Sequence, residues 1–181
     1  MKHLWADDIH DFWFRHIGPE HWFSANHEIN EEISERFEPL WRSLRDEKAM
    51  FFLEDAREAL AAIILFDQFP RNMFRGEPDS FSTDALALDI AGQAIELGYD
   101  VGMSDDERHF LYMPYMHSES LADQDRSVEL FDGLGKHEAL RHAILHREAI
   151  RQFGRFPHRN AILGRESLPE ELQALAEGLS W

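Results

Sequence analysis

Apolar residues recur three and four positions apart along the whole chain, the spacing of amphipathic helices, and no segment alternates with period two for long enough to suggest a strand. Ile9, Phe12 and Trp13 begin the pattern, and Gly18-Pro19 is expected to stop the first helix. Ile29, Ile33, Phe37, Leu40, Trp41 and Leu44 form a second stripe with Glu31, Glu32 and Glu35 off it. Pro39 lies inside that stripe and predicts a kink or a break. Glu54 and Asp55 open a third helix whose body, from Ala59 to Phe66, is apolar on every face. Such a helix is buried on all sides and should be the central one, with Pro70 ending it. Ser82-Thr83-Asp84 offers cap oxygens to a fourth helix that ends at Gly98. Ser104 with Glu107 has capping-box spacing ahead of a fifth, which Pro114 should interrupt. A sixth covers Gln124 to Leu134 and closes at Gly133 and Gly135, and a seventh runs from His137 to Phe153 and stops at Gly154. Ser167 and Glu170 repeat the capping-box spacing before a last short helix through Leu175. These elements predict one all-α domain over residues 1–181.

Composition narrows the functions such a domain can have. Of 181 residues, 44% are hydrophobic and 12% aromatic, enough for a packed core. Acidic residues number 35 against 18 basic, a formal net charge of −17 that repels polyphosphate and anionic membrane, so neither nucleic acid nor membrane is an expected partner. Cysteine is absent, which excludes disulfides, thiolate-bound metals and cysteine nucleophiles. The stretch from Met1 to Asp8 lacks the apolar run of a signal peptide, and the longest apolar run, Ala59 to Phe66, is too short to span a bilayer; a cytoplasmic location is expected.

Basic charge is concentrated locally. Between Ala139 and Arg165 there are six arginines and one acid, Glu148. Arg147, Arg151 and Arg155 have i, i+4, i+8 spacing and share a face if the helix reaches Arg155. Arg71 and Arg75 form a second small group. Such arginines either pair with the protein's own carboxylates or receive an anionic ligand. Two similar segments sharpen that choice: Phe69-Pro70-Arg71-Asn72 and Phe156-Pro157-His158-Arg159-Asn160. Read locally, they are equivalent helix-ending turns in a repeat of helical hairpins; read functionally, they project arginines into one shared pocket. Asp67 and Gln68 leave a buried helix, so Asp67 needs an arginine or several donors, either as an internal pair or as a ligand-facing acid or base.

Histidines are the remaining candidates. His146 falls on the apolar stripe of its helix with Ala139, Ala143, Ile150 and Phe153, a place that fits a core residue better than a ligand. His142 and His146 have the spacing of a helical metal pair, but neither H-E-x-x-H nor Glu-x-x-His is present, so no metal is expected. His117-Ser118-Glu119 follows Pro114 and reads either as a polar turn or as acid–base machinery at a bend. No glycine-rich phosphate loop is present, and no cofactor is expected.

The same segments carry a family resemblance. Asp67-Gln68-Phe69-Pro70-Arg71-Asn72 with Arg75-Gly76, Thr83-Asp84-Ala85-Leu86-Ala87, Phe110-Leu111-Tyr112-Met113-Pro114 with His117-Ser118-Glu119, and Phe153-Gly154-Arg155-Phe156-Pro157-His158-Arg159-Asn160 with Ile162-Leu163-Gly164-Arg165 closely resemble the bacterial family called domain of unknown function 924. The resemblance implies antiparallel helical hairpins in a tetratricopeptide-like superhelix of about eight helices; the chain itself shows no 34-residue repeat consensus. It implies no activity. Together the residues point to a small anionic molecule or acidic peptide held by Asp67, Gln68, Arg71, Asn72, His117, Glu119, Arg155, His158, Arg159 and Asn160. An enzyme using His117 or His158 as acid or base with Asp67 orienting a histidine, and a protein-interaction scaffold, are the alternatives.

Overall fold

A computed structural model describes residues 4–24 and 26–178; residues 1–3, part of the stretch read for a signal peptide, and the last three of the expected 1–181 domain lie outside them. Every regular element among the described residues is helical. In chain order they are α1 (Leu4–Asp11), α2 (His27–Leu44), α3 (Ala56–Ile63), α4 (Phe69–Met73), α5 (Asp84–Glu96), α6 (Asp105–His117), α7 (Leu121–Leu134), α8 (His137–Phe153) and α9 (Pro169–Ala176), with short 3₁₀ and π turns between. A π turn, Ile64–Gln68, fuses α3 and α4 into one rod, which leaves eight rods. Short connections fold α7 back on α6 and α8 back on α7, a run of hairpins compatible with a tetratricopeptide-like superhelix.

The apolar segment takes the central place its composition predicts. From Ala59 to Phe66 no residue is more than 1% exposed, and α3 packs against α1, α5 and α6. Aromatic rings fill the space beside it: Phe69 meets Phe12, Trp13 and Phe37, and Trp13 meets Phe110. The apolar core is continuous from Ala6 to Ala143, and Ala149, Ile150 and Phe156 form a small second cluster.

Three prolines behave differently from expectation. Helix α2 continues through Pro39 and α6 through Pro114, so neither helix is broken. Pro70 does not end the third helix; the helix widens before it. A proline at position 70 has no N–H for the carbonyl of Phe66 and would crowd it. In the π turn the Phe69 N–H reaches back five residues to the Ile64 carbonyl. The Phe66 carbonyl instead accepts the Thr83 hydroxyl at 2.7 Å, and the Gln68 carbonyl accepts Asn72 Nδ2 at 3.0 Å. The backbone at Pro70 is thus repaired by side chains.

That repair changes the role of Thr83. It stands at the N-cap position of α5 but makes no capping bond; its hydroxyl donates to Phe66 and accepts from Trp41 Nε1 at 3.2 Å. The capping box at Ser104 and Glu107 forms as expected. The one expected at Ser167 and Glu170 does not: Leu168 is the N-cap, and Glu171 accepts its N–H at 2.7 Å. Helix α7 starts earlier than expected, with Ser120 as cap, and runs through Gly133 to end at Gly135 in the left-handed region. Helix α8 has the expected bounds, so Arg155 lies beyond it and shares no helical face with Arg147 and Arg151.

Replacing Thr83 by Val strands the Phe66 carbonyl and the Trp41 indole N–H in an apolar core. The loss should be ~1–3 kcal/mol, lowering the thermal midpoint by roughly 2–4 °C per kcal/mol. Thr83→Ser should recover most of it. Equal midpoints for Thr83→Val and wild type in urea and thermal melts would refute this role.

Candidate functional site

The widened turn sets up the site. Asp67 lies inside it, with 0% exposure, and its carboxylate faces the last residue of α6: Oδ1 and Oδ2 are 2.7 and 3.0 Å from His117 Nδ1. Gln68 Nε2 donates to the same carboxylate, and the Arg71 guanidinium lies 3.5 Å from Oδ1. Burial works to raise the Asp67 carboxyl, but the charges of His117 and Arg71 and the hydrogen bonds from His117 and Gln68 outweigh it and hold the group down at about 2. Burial, and then the Arg71 cation, push His117 below its usual value against the pull of Asp67. Both directions fit one state: an ionised Asp67 accepting Nδ1–H from a neutral imidazole, which leaves Nε2 as the basic atom of the ring.

Asp84, the first residue of α5, joins the two arginine-bearing segments. Arg71 grips it with two bonds of 2.8 and 2.9 Å, and Arg159 Nη1 lies 3.4 Å from the same carboxylate. Arg159 is 6% exposed, and its guanidinium lies between two phenyl rings, 4.5 Å from the centroid of Phe81 and 4.7 Å from that of Phe156. Nη2 donates to the His117 carbonyl at the C-terminus of α6, where a cation is favoured, but the buried Nε has no partner. Burial, followed by the neighbouring Arg71 cation, lowers Arg159 to about 10, which still leaves it charged at neutral pH.

Arg71, Phe81, His117, His146, Phe156, His158 and Arg159 line a cavity of about 280 Å³. His117 also borders a second cavity of about 520 Å³ that includes Asp84 and Glu119, and a third of about 370 Å³ whose wall combines Phe23, Met113, Met116 and Ala139 with histidines and Glu138. His146 was read from the sequence as a core residue; the structure instead puts it on the wall of the cavities. Its Nδ1 donates to the His142 carbonyl at 2.8 Å, and burial lowers it to about 3. Burial and the cations of Arg159 and Arg71 lower His158 to about 4.

Several predicted residues lie away from that cavity and hold its walls instead. Arg155 binds Glu171 through Nε and Nη2 at 2.7 and 2.8 Å and donates to the Glu166 carbonyl, so its guanidinium is engaged away from the cavity. Buried Asn160 donates to Ser167 and Glu171 and accepts from Arg165. Glu119 grips Arg165 at 2.7 and 2.9 Å and accepts the Phe156 N–H, which keeps its carboxyl ionised against burial. Two carboxylates, Glu119 and Glu171, therefore clamp the segment that presents His158 and Arg159. Asn72 faces the opposite side of its helix, beside Asn30 and Glu31.

The two Phe-Pro segments are not equivalent turns. Pro70 is inside a helical rod, whereas Pro157–Arg159 is a 3₁₀ turn after α8. What they share is an arginine brought to Asp84. Asp84 and Phe81 were not singled out as site residues: Asp84 read as cap chemistry at the start of a helix, and a lone phenylalanine carries no signal of stacking on a cation.

The cavity histidines give a pH signature. His146 and His158, with His109, lie below the ordinary value of 6.5, so between that pH and about 3 the unfolded chain binds more protons than the folded one. The stability they contribute is complete above pH 6.5 and is lost as pH falls through that window. Histidine-resolved NMR at pH 6 should find these three rings neutral; a midpoint above 6 for His146 or His158 would contradict the burial assigned to them.

A solved structure of a protein of unknown function from Agrobacterium tumefaciens is similar to this chain, with 43% identity, a TM-score of 0.90 and coverage of 96% of this chain and 97% of the other. No curated protein matches. The model of a family described as bacterial protein of unknown function (DUF924) matches residues 9–178. With that match spanning the rods, clamps and cavity walls described above, the chain belongs to the DUF924 family of bacterial proteins.

Proposed function

We propose that the protein binds a small monoanionic metabolite in the cavity between Arg159, His117 and His158, in the bacterial cytoplasm. The observation that carries this reading is Arg159 itself: a buried cation held between two phenyl rings, with a long contact to Asp84 and no partner for Nε. An arginine kept only for stability would use its planar fork fully, as Arg71 does on Asp84 and Arg165 does on Glu119. Charge balance favours one negative charge over two. Arg71 and Arg159 are offset by Asp67 and Asp84, so a dianionic phosphate would meet two fixed carboxylates at close range.

A second reading puts acid–base chemistry in the same place, and the Asp67–His117 contact favours it. A buried carboxylate on Nδ1 fixes the tautomer and leaves Nε2 able to take a proton from a bound molecule. Incubating wild type and His117→Gln with a cell-extract metabolite mixture separates the readings. A compound consumed by wild type alone supports chemistry; unchanged pools with retained anion binding leave a binding protein.

The binding reading predicts that small carboxylates raise the thermal midpoint of the wild type. At a hundred times the dissociation constant the gain is ~2.7 kcal/mol, or roughly 5–11 °C. Arg159→Met should abolish the response, while Arg151→Ala, exposed on α8 and away from the cavity, should keep it. Equal responses from wild type and Arg159→Met would remove the basis for the site.

A further inference from the structure

The anion cavity does not end at its polar wall. His117 and His146 border it on one side and border the apolar cavity of about 370 Å³ on the other. Beyond the two imidazoles, Met113, Met116, Ala139 and Phe23 supply the apolar part of the wall, and His109, Glu138 and His142 complete it. Taken singly, the polar cavity is smaller than an ordinary metabolite site and the apolar one lies at its lower limit; joined, they fall inside the usual range of roughly 300–1,000 Å³.

We infer that the two cavities form one site for an amphiphilic carboxylic acid, with the carboxylate at Arg159 and an unbranched or aryl apolar body running past His117 and His146 to Met113, Met116 and Phe23. This rests on the anion-binding reading and adds the class of the ligand.

Three observations carry it. First, the cavity that holds the cation and the cavity that holds the methionines share two wall residues, His117 and His146, the adjacency an amphiphile requires. Second, both imidazoles have Nδ1 committed, His117 to Asp67 and His146 to the His142 carbonyl, so both rings are held in a set orientation at the passage. Third, the apolar wall is built from adaptable methionines and from Phe23, which is 66% exposed beside His109 and Phe110. Methionine fills irregular space around flexible chains, and an exposed phenyl at a cavity mouth has apolar area available to a ligand. The small side chain of Ala139 leaves room on the α8 side.

The test is a calorimetric affinity series with acetate, butyrate, hexanoate and octanoate, with 1-octanol as the uncharged control. Affinity should rise about fourfold per added methylene while the chain is entering the apolar cavity, the equivalent of ~0.8 kcal/mol per buried CH₂. Octanol should bind far more weakly than octanoate, and Arg159→Met should erase that difference. Phe23→Ser, at an exposed position, should reduce octanoate affinity severalfold and leave acetate unchanged; Ala139→Phe should do the same by filling the cavity. A flat series with the small acids still bound overturns the joined site and leaves the anion reading standing. Octanol binding as tightly as octanoate also overturns it, because the head would then not engage the arginine. Failure of every acid to bind folded wild type overturns both.

Discussion

A carboxylate taken out of water is costly, and in this protein one sits in the π turn that joins α3 and α4. Asp67 has no exposed surface and is retained as an anion because His117, Gln68 and Arg71 converge on it from three directions. Removing one partner from such a buried ion typically costs about 3–5 kcal/mol, because the remaining charge cannot be rehydrated. This makes Asp67 a constraint on everything near it. The end of α6 must arrive with His117 against the π turn, Arg71 must stay in its helical rod to balance the charge, and Asp84 must follow to occupy the other side of Arg71. The cavity is what remains where those elements meet the segment carrying Arg159.

The helical class was legible because period 3.6 runs through nearly the whole chain, and the central helix because Ala59 to Phe66 has no polar face. The glycine stops at Gly135 and Gly154 were legible for the same local reason: both lie at positive φ after a helix. The prolines were misread because a proline reports the loss of one N–H and not what replaces it. At Pro70 the replacement came from Thr83, 17 residues along the chain from the Phe66 carbonyl it serves, and no local rule points to it.

At the site, residue types were legible and their assignment was not. A cluster of arginines in an acidic protein announces ion pairs, but only the fold decides which arginine finds a carboxylate of matching geometry. Arg155 and Arg165 meet Glu171 and Glu119 in bidentate fashion and become structural clamps. Arg159 meets two phenyl rings and a carboxylate already occupied by Arg71. His146 shows the converse error: on a helical stripe it resembled core, yet the core thins at that end of α8 and the ring lines the cavities.

Everything proposed for the joined cavity depends on Arg159 acting as its head-group receptor. A crystal structure of the protein with hexanoate tests that most directly. The carboxylate should lie against the Arg159 guanidinium with its chain passing between His117 and His146 toward Met113 and Met116. Hexanoate bound elsewhere, or cavities filled by rearranged side chains with Arg159 fully paired within the protein, would contradict it.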